Sequence, residues 1–380
     1  MAKSLLDVVV VYHPKDGAAD GEARVFVDIL IETFRYQRPT SGLRQGPEAS
    51  DPWERVEIQN CTSPEDIQSA LNRPDKPTVY IILLSETFRA DTKLLQATEN
   101  IAGTLPRKDD GSRSALMYAF SNSARQNLPA KLNSRQIREI SDLGEEPRLR
   151  PFNLALLAMH RARHVLGGIR EELKLFLSHA KADGVFFARA IKDSLQRLPE
   201  VDCFYDADDL TSGSNWSAQL ESAARHSILI ALRTPAYEQR LACREEFETA
   251  LLHGVPIVVV DAMSTAMHSS PTHLPFSAMP TVRIADGNTH RVVSAALREH
   301  LRLLLMESIA REKALDLSTS QIRVWPRFPC IANLMNAPRE QQFWLIPQSQ
   351  VFDQELQASR ELLSSLNSSL KLEVLETFRP

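Results

Sequence analysis

Positive charge is scarce in this 380-residue chain: 44 lysines and arginines stand against 48 acids, giving a formal net charge of -4 and a pI near 6.2. Without a basic field there is little to hold a nucleic-acid backbone by counterion release, so direct nucleic-acid binding is not expected. Cysteine is sparse as well. Cys61, Cys203, Cys243 and Cys330 lie far apart, with no CxxC pair and no companion histidine at metal spacing. That argues against a zinc site and for buried free thiols in a reducing cytosol. No apolar run approaches the length of a bilayer crossing. The stretch from Met1 to Val11 carries one lysine and a short apolar run broken by Asp7, so it reads as a strand and not as a signal peptide. A cytoplasmic protein without membrane contact is the expectation.

The composition, 43% hydrophobic and 24% charged, is that of a globular protein, and the length exceeds one ordinary core. Apolar β-branched runs at Asp7–Val11, Val79–Leu84 and Val255–Val260 have the form of strands covered on both faces of a parallel sheet. Between them lie helical patterns: Ala23–Phe34 places Val25, Phe26, Ile29, Leu30 and Phe34 on one stripe, and Ser63-Pro64-Glu65-Asp66 is a helix start. Residues 35–53 lack periodicity and read as an exposed loop. Alternation of strand and helix predicts α/β architecture with doubly wound parallel sheets. Three stretches follow from the punctuation: residues 1–168, residues 169–315, and a short β-α-β segment over residues 316–380 that is too small to fold alone.

Internal repetition connects the first two stretches. Val11-Tyr-His-Pro-Lys-Asp16 follows one buried strand as Leu177-Ser-His-Ala-Lys-Ala182 follows another, and Ile81 to Phe88 parallels Ile228 to Tyr237. The first stretch therefore reads as a diverged copy of the second.

Three motifs of the second stretch carry a family resemblance. They are Phe176-Leu-Ser-His179 with Asp183, then Tyr205-Asp-Ala-Asp-Asp-Leu210 with Gly213 and Trp216, and finally Tyr237 with Cys243 and Glu246. In this order and spacing they resemble the Toll/interleukin-1 receptor (TIR) domain of prokaryotic type, over about residues 171–262. The resemblance implies a flavodoxin-like fold and one of two functions: self-association as an adaptor, or cleavage of NAD at its nicotinamide bond, often in antiphage immunity. It puts Glu246 at the catalytic glutamate of the NAD-cleaving members. In open α/β sheets ligands bind beyond the carboxyl ends of the strands, which makes Ser178, His179, Phe204, Asp206, Gly213, Trp216 and Tyr237 candidate NAD contacts, with NAD as substrate and no resident cofactor or metal. A homo-oligomer through TIR units is implied, with an upstream sensor protein or a nucleotide messenger as further partners.

Plainer readings stand beside these. Glu246, with Arg244, Glu245 and Glu248 nearby, is also what a solvated acidic helix start looks like. His179 after a buried strand is a candidate for a backbone hydrogen bond, Trp216 for packing a helix on the sheet, and Cys243 for a small core residue. Asp206, Asp208 and Asp209 could suggest a cation site, but a solvated turn accounts for them. Two positions depart from the family: Ala242 replaces a tryptophan four residues before the glutamate, and Arg240 replaces a serine. These departures favour a non-enzymatic scaffold as the alternative. In the first stretch the position matching Glu246 is Ala97, which implies an inactive copy.

Overall fold

The computed structural model describes residues 4–18, 21–34, 52–73, 76–105, 112–167, 174–196, 203–205, 227–263, 274–276, 279–284, 289–314, 321–327, 329, 331–335, 342–346, 353–365, 369–375 and 378. They divide into two compact units, one ending at Arg170 and the other starting at Glu171, and the latter also contains the C-terminal strands.

The first unit is a five-stranded parallel sheet in the order β2-β1-β3-β4-β5, with β1 Leu6–Val11, β2 Val56–Cys61, β3 Thr78–Leu84, β4 Arg113–Ala119 and β5 Ile137–Glu139. Strands β1 and β3 are central and buried along their whole length, which explains their uninterrupted apolar sequences. Asp7 is the exception, a 2% exposed carboxylate in β1; Arg73 at 3.5 Å, Lys76 at 3.8 Å and the Ser4 hydroxyl at 2.8 Å partner it. Around the sheet run α1 Arg24–Phe34, α2 Pro64–Leu71, α3 Thr92–Thr104 and α4 Arg150–Gly167. Helix α1 packs with α4, and α2 with α3. The start of α2 is a full capping box: Ser63 Oγ accepts from Asp66 N at 3.2 Å, and Asp66 Oδ2 accepts from Ser63 N at 3.0 Å.

Three details correct the sequence-based expectations. Val25 is 56% exposed, and Val27 takes its place in the buried stripe of α1. Trp53, expected in an exposed loop, is buried in a 3-10 turn over Pro52–Arg55. The edge strands β2 and β5 had no signal, because an edge strand needs only one covered side and therefore carries no long apolar run.

The second unit repeats the strand order: β6 Lys174–Ser178, β7 Cys203–Tyr205, β8 Ser227–Arg233, β9 Ile257–Asp261 and β10 Thr281–Arg283 are all parallel and lie β10-β9-β8-β6-β7. Helix α5 Val185–Gln196 connects β6 to β7, and α6 Leu241–Leu252 connects β8 to β9. Those crossovers run in opposite directions along the sheet, so right-handed connections put the two helices on opposite faces. The 25-residue α7 Thr289–Lys313 packs with α5. A second, three-stranded parallel sheet follows, β11 Ile322–Val324, β12 Phe343–Ile346 and β13 Lys371–Val374, with β12 in the middle, α8 Ile331–Met335 and α9 Asp353–Ser365 in the crossovers. The expected β-α-β passage thus gains a third strand, and Trp325 and Trp344, with ring centroids 4.8 Å apart, centre its core. No helix among the described residues is long and apolar enough to cross a membrane.

Candidate active site

In a parallel sheet of this order, the strands on either side of the reversal point send their following loops apart and leave a crevice at their carboxyl ends. In the second unit the reversal lies between β6 and β8. The carboxyl end of β6 supplies Ser178, with His179 directly after it, and that of β8 supplies Arg233, with Thr234 to Tyr237 in the loop beyond.

Two side-chain bonds span this crevice. Ser178 Oγ lies 2.8 Å from Tyr237 Oη, with both residues fully buried. Asp183 accepts from Thr234 Oγ1 at 2.6 Å and from the Ala236 amide at 2.9 Å. The aspartate of the first motif thus holds the loop that delivers the tyrosine of the third. Gly184 lets its own loop close beneath, since a Cβ there would sit 2.9 Å from the Ala180 carbonyl oxygen and 3.1 Å from His179 Cβ. His179 is 4% exposed, with Nδ1 3.5 Å from the Leu177 carbonyl oxygen.

The Tyr237 phenol is pushed well above its ordinary pKa by complete burial; the Ser178 bond opposes this, while Cys243 and Glu246 reinforce it. Tyr237 is therefore a neutral hydrogen-bonding group at physiological pH. Its ring joins a core with Cys243, Phe247 and Phe276, Phe276 being 5.2 Å from Phe247 and 6.0 Å from Tyr237. Arg233 extends over the Phe276 ring at 5.1 Å and pairs with Glu238 at 3.8 Å. Thr234 and Phe276 had no motif to flag them; only the fold brings them here.

Glu246 is half-buried in the second turn of α6, whose first turn, starting after Arg240, contains no acid. The helix dipole acts mainly on the terminal turn, so an acidic start to the helix does not account for this residue. Cys243 and Phe247 point into the core, while Ala242 is exposed and Leu241 is 60% exposed. Ser178, His179, Tyr237 and Glu246 are thus contributed by β6, the loop after β8 and α6. The side chain of Phe204, and Asp206, Gly213 and Trp216 entirely, lie outside the described residues, as do Asp208 and Asp209. Among the described residues no group of three or more histidines, cysteines and acids could hold a metal ion.

The fold and this crevice define a flavodoxin-like α/β unit with a candidate site at its reversal point. The family model described as TIR domain matches residues 175–291, and this part of the chain is a TIR domain. The match covers β6 to the start of α7 and leaves the first unit and the C-terminal sheet outside it. No curated protein matches the chain.

Proposed function

We propose that the TIR domain cleaves NAD at the nicotinamide–ribose bond, with Glu246 as its catalytic carboxylate. What supports this reading is the Ser178–Tyr237 bond beside the reversal point, with Glu246, from a third element, near enough to push the Tyr237 pKa up. In the reaction the C1′–N1 bond breaks with its electron pair going to the pyridinium nitrogen. Nicotinamide leaves neutral, and the ribosyl carbon passes through an oxocarbenium-like state. A carboxylate holding a ribose hydroxyl and facing that developing charge stabilises the transition state more than the bound substrate. Water then adds at C1′ and releases a proton, giving ADP-ribose, or a ring nitrogen of the same molecule adds and gives a cyclised product. Ser178 and Tyr237 position the loop, and no metal is required. The biological setting supported by the resemblance is an immune effector that works as an assembly, with the first unit, which has Ala97 at the matching position, for sensing or assembly.

The test is nicotinamide release from NAD by the full chain at assembly-promoting concentration. Glu246→Gln is expected to lower the rate about a hundredfold or more, the scale of losing one transition-state electrostatic contact. A Glu246→Gln protein that releases nicotinamide at the wild-type rate removes Glu246 from the chemistry.

A scaffold without turnover is the second reading, favoured by Ala242 in place of tryptophan and by three exposed apolar side chains on the TIR domain, Phe186 at 77%, Leu241 at 60% and Leu252 at 40%. No turnover in the assembled state, together with cellular function unaffected by Glu246→Ala, would select it.

A further inference from the structure

The C-terminal sheet lies outside the TIR match, yet it grips the helix that carries Glu246. The last turn of any helix leaves carbonyl oxygens without partners inside the helix. At the end of α6 the donors come from the C-terminal segment: Asn333 Nδ2 to the Leu252 oxygen at 2.7 Å and Arg323 Nη2 to the oxygen of the capping residue His253 at 3.0 Å, while just beyond the helix Arg327 Nη2 holds the Val255 oxygen at 3.0 Å. Arg323 thus puts a guanidinium group at the negative end of the helix dipole. Arg323 lies over Trp325, its Cζ 4.1 Å from the ring centroid, and Trp325 in turn packs against Gly254, where a Cβ would approach its ring to 3.1 Å. Arg327 is 7% exposed, and burial lowers its pKa to about 10, which still leaves it charged at neutral pH. The same segment is tied to α7, because Arg302 donates to the Pro326 oxygen at 2.7 Å while paired with Glu299 at 2.6 Å. Packing alone would not need three side-chain donors on the end of one helix and the three residues that follow it. Leu252 follows Glu246 by six residues, about 9 Å along the axis of one helix.

We propose that Arg323, Arg327 and Asn333 of the C-terminal segment are positioning residues that clamp α6 and thereby set the placement of Glu246 at the crevice. The catalytic half of this statement rests on the NAD-cleaving reading; the clamp itself does not.

Arg327 is too deeply buried for a clean deletion, so the test uses Arg323→Ala combined with Asn333→Ala in the full chain, with Arg323→Lys as the conservative variant. Backbone hydrogen exchange is followed over α6 and over β8 as an internal control. The double variant is expected to exchange at least about tenfold faster in α6 with β8 unchanged, the signature of a local opening. Its kcat for nicotinamide release should fall about tenfold or more at unchanged KM, since small misplacements of a catalytic group cost that much. Arg323→Lys, which keeps a cation at the helix end, should recover part of both. Unchanged exchange in α6 overturns the clamp, and faster exchange with wild-type kcat overturns its link to Glu246. If the wild type releases no nicotinamide, the functional reading falls and the exchange comparison alone decides the clamp.

Discussion

Asp183 accepts a hydrogen bond from Thr234 at 2.6 Å, and in the other unit Asp16 accepts one from Ser85 at 2.5 Å. In each case a carboxylate in the loop after the first strand holds the hydroxyl that directly follows the third strand. Three residues beyond the hydroxyl stands a fully buried aromatic ring, Tyr237 in one unit and Phe88 in the other. The two units thus share this strap as well as their strand order. The difference between them is chemical: Phe88 has no hydroxyl, and Ala97 has no carboxylate.

If Asp183 holds the crevice loop, its removal should cost stability. Asp183→Ala deletes two hydrogen bonds to a charged acceptor that is itself solvent-accessible, so a loss of about 1–2 kcal/mol is expected. The denaturant midpoint measures it, and Asp183→Asn, which keeps one acceptor oxygen, should lose less.

Ser178 and Tyr237 are each other's hydrogen-bond partners in a fully buried site, so deleting either alone strands the other. Tyr237→Phe and Ser178→Ala should each cost about 1–2 kcal/mol, and the double variant less than their sum. A double-mutant cycle by chemical denaturation reads the coupling directly.

Alkaline pH acts on the same phenol. Unfolded tyrosine ionises near 10.0, whereas folded Tyr237 keeps its proton to higher pH. Its contribution to stability is therefore complete below about pH 10 and is lost as pH rises toward the folded-state pKa. Urea midpoints of the second unit measured between about pH 9 and 11 should fall, and Tyr237→Phe should flatten that fall.

Cys61 makes a chemical prediction in the first unit. It is 1% exposed, and burial, with a smaller contribution from Asp66, pushes its thiol up to about 12. Alkylation at about pH 8 should leave the Cys61 peptide unmodified in native protein and label it after denaturation, as mass spectrometry would show.

Gly254 closes α6 with φ of +65°, beside the Trp325 ring. Gly254→Ala meets both an unfavourable backbone region and a crowded neighbour, so a loss of about 1–3 kcal/mol is expected in thermal or chemical unfolding.

How much could be read in advance differs by element. The central strands β1, β3, β8 and β9 are buried on both faces, and their apolar runs show it directly. Edge strands β2, β5, β10 and β11 are short or half-exposed, and nothing in composition separates such a stretch from a loop. Ser178, His179, Tyr237 and Glu246 were named from motif spacing. Thr234, Phe276 and the donors at the end of α6 were not, since their partners lie tens of residues away in the chain.

The local pattern of residues determined which segments become strand or helix, where α2 is capped, and that residues 175–291 carry the TIR pattern. Those properties depend on neighbours within a few positions, through periodicity and backbone preference. Tertiary structure alone decided that Asp183 straps Thr234, that Tyr237 shares its hydroxyl with Ser178, and that Arg323, Arg327 and Asn333 reach the end of the helix bearing Glu246. Each of these joins segments far apart in sequence, and a hydrogen bond across such a gap exists only once the sheet has placed both ends within 3 Å or so.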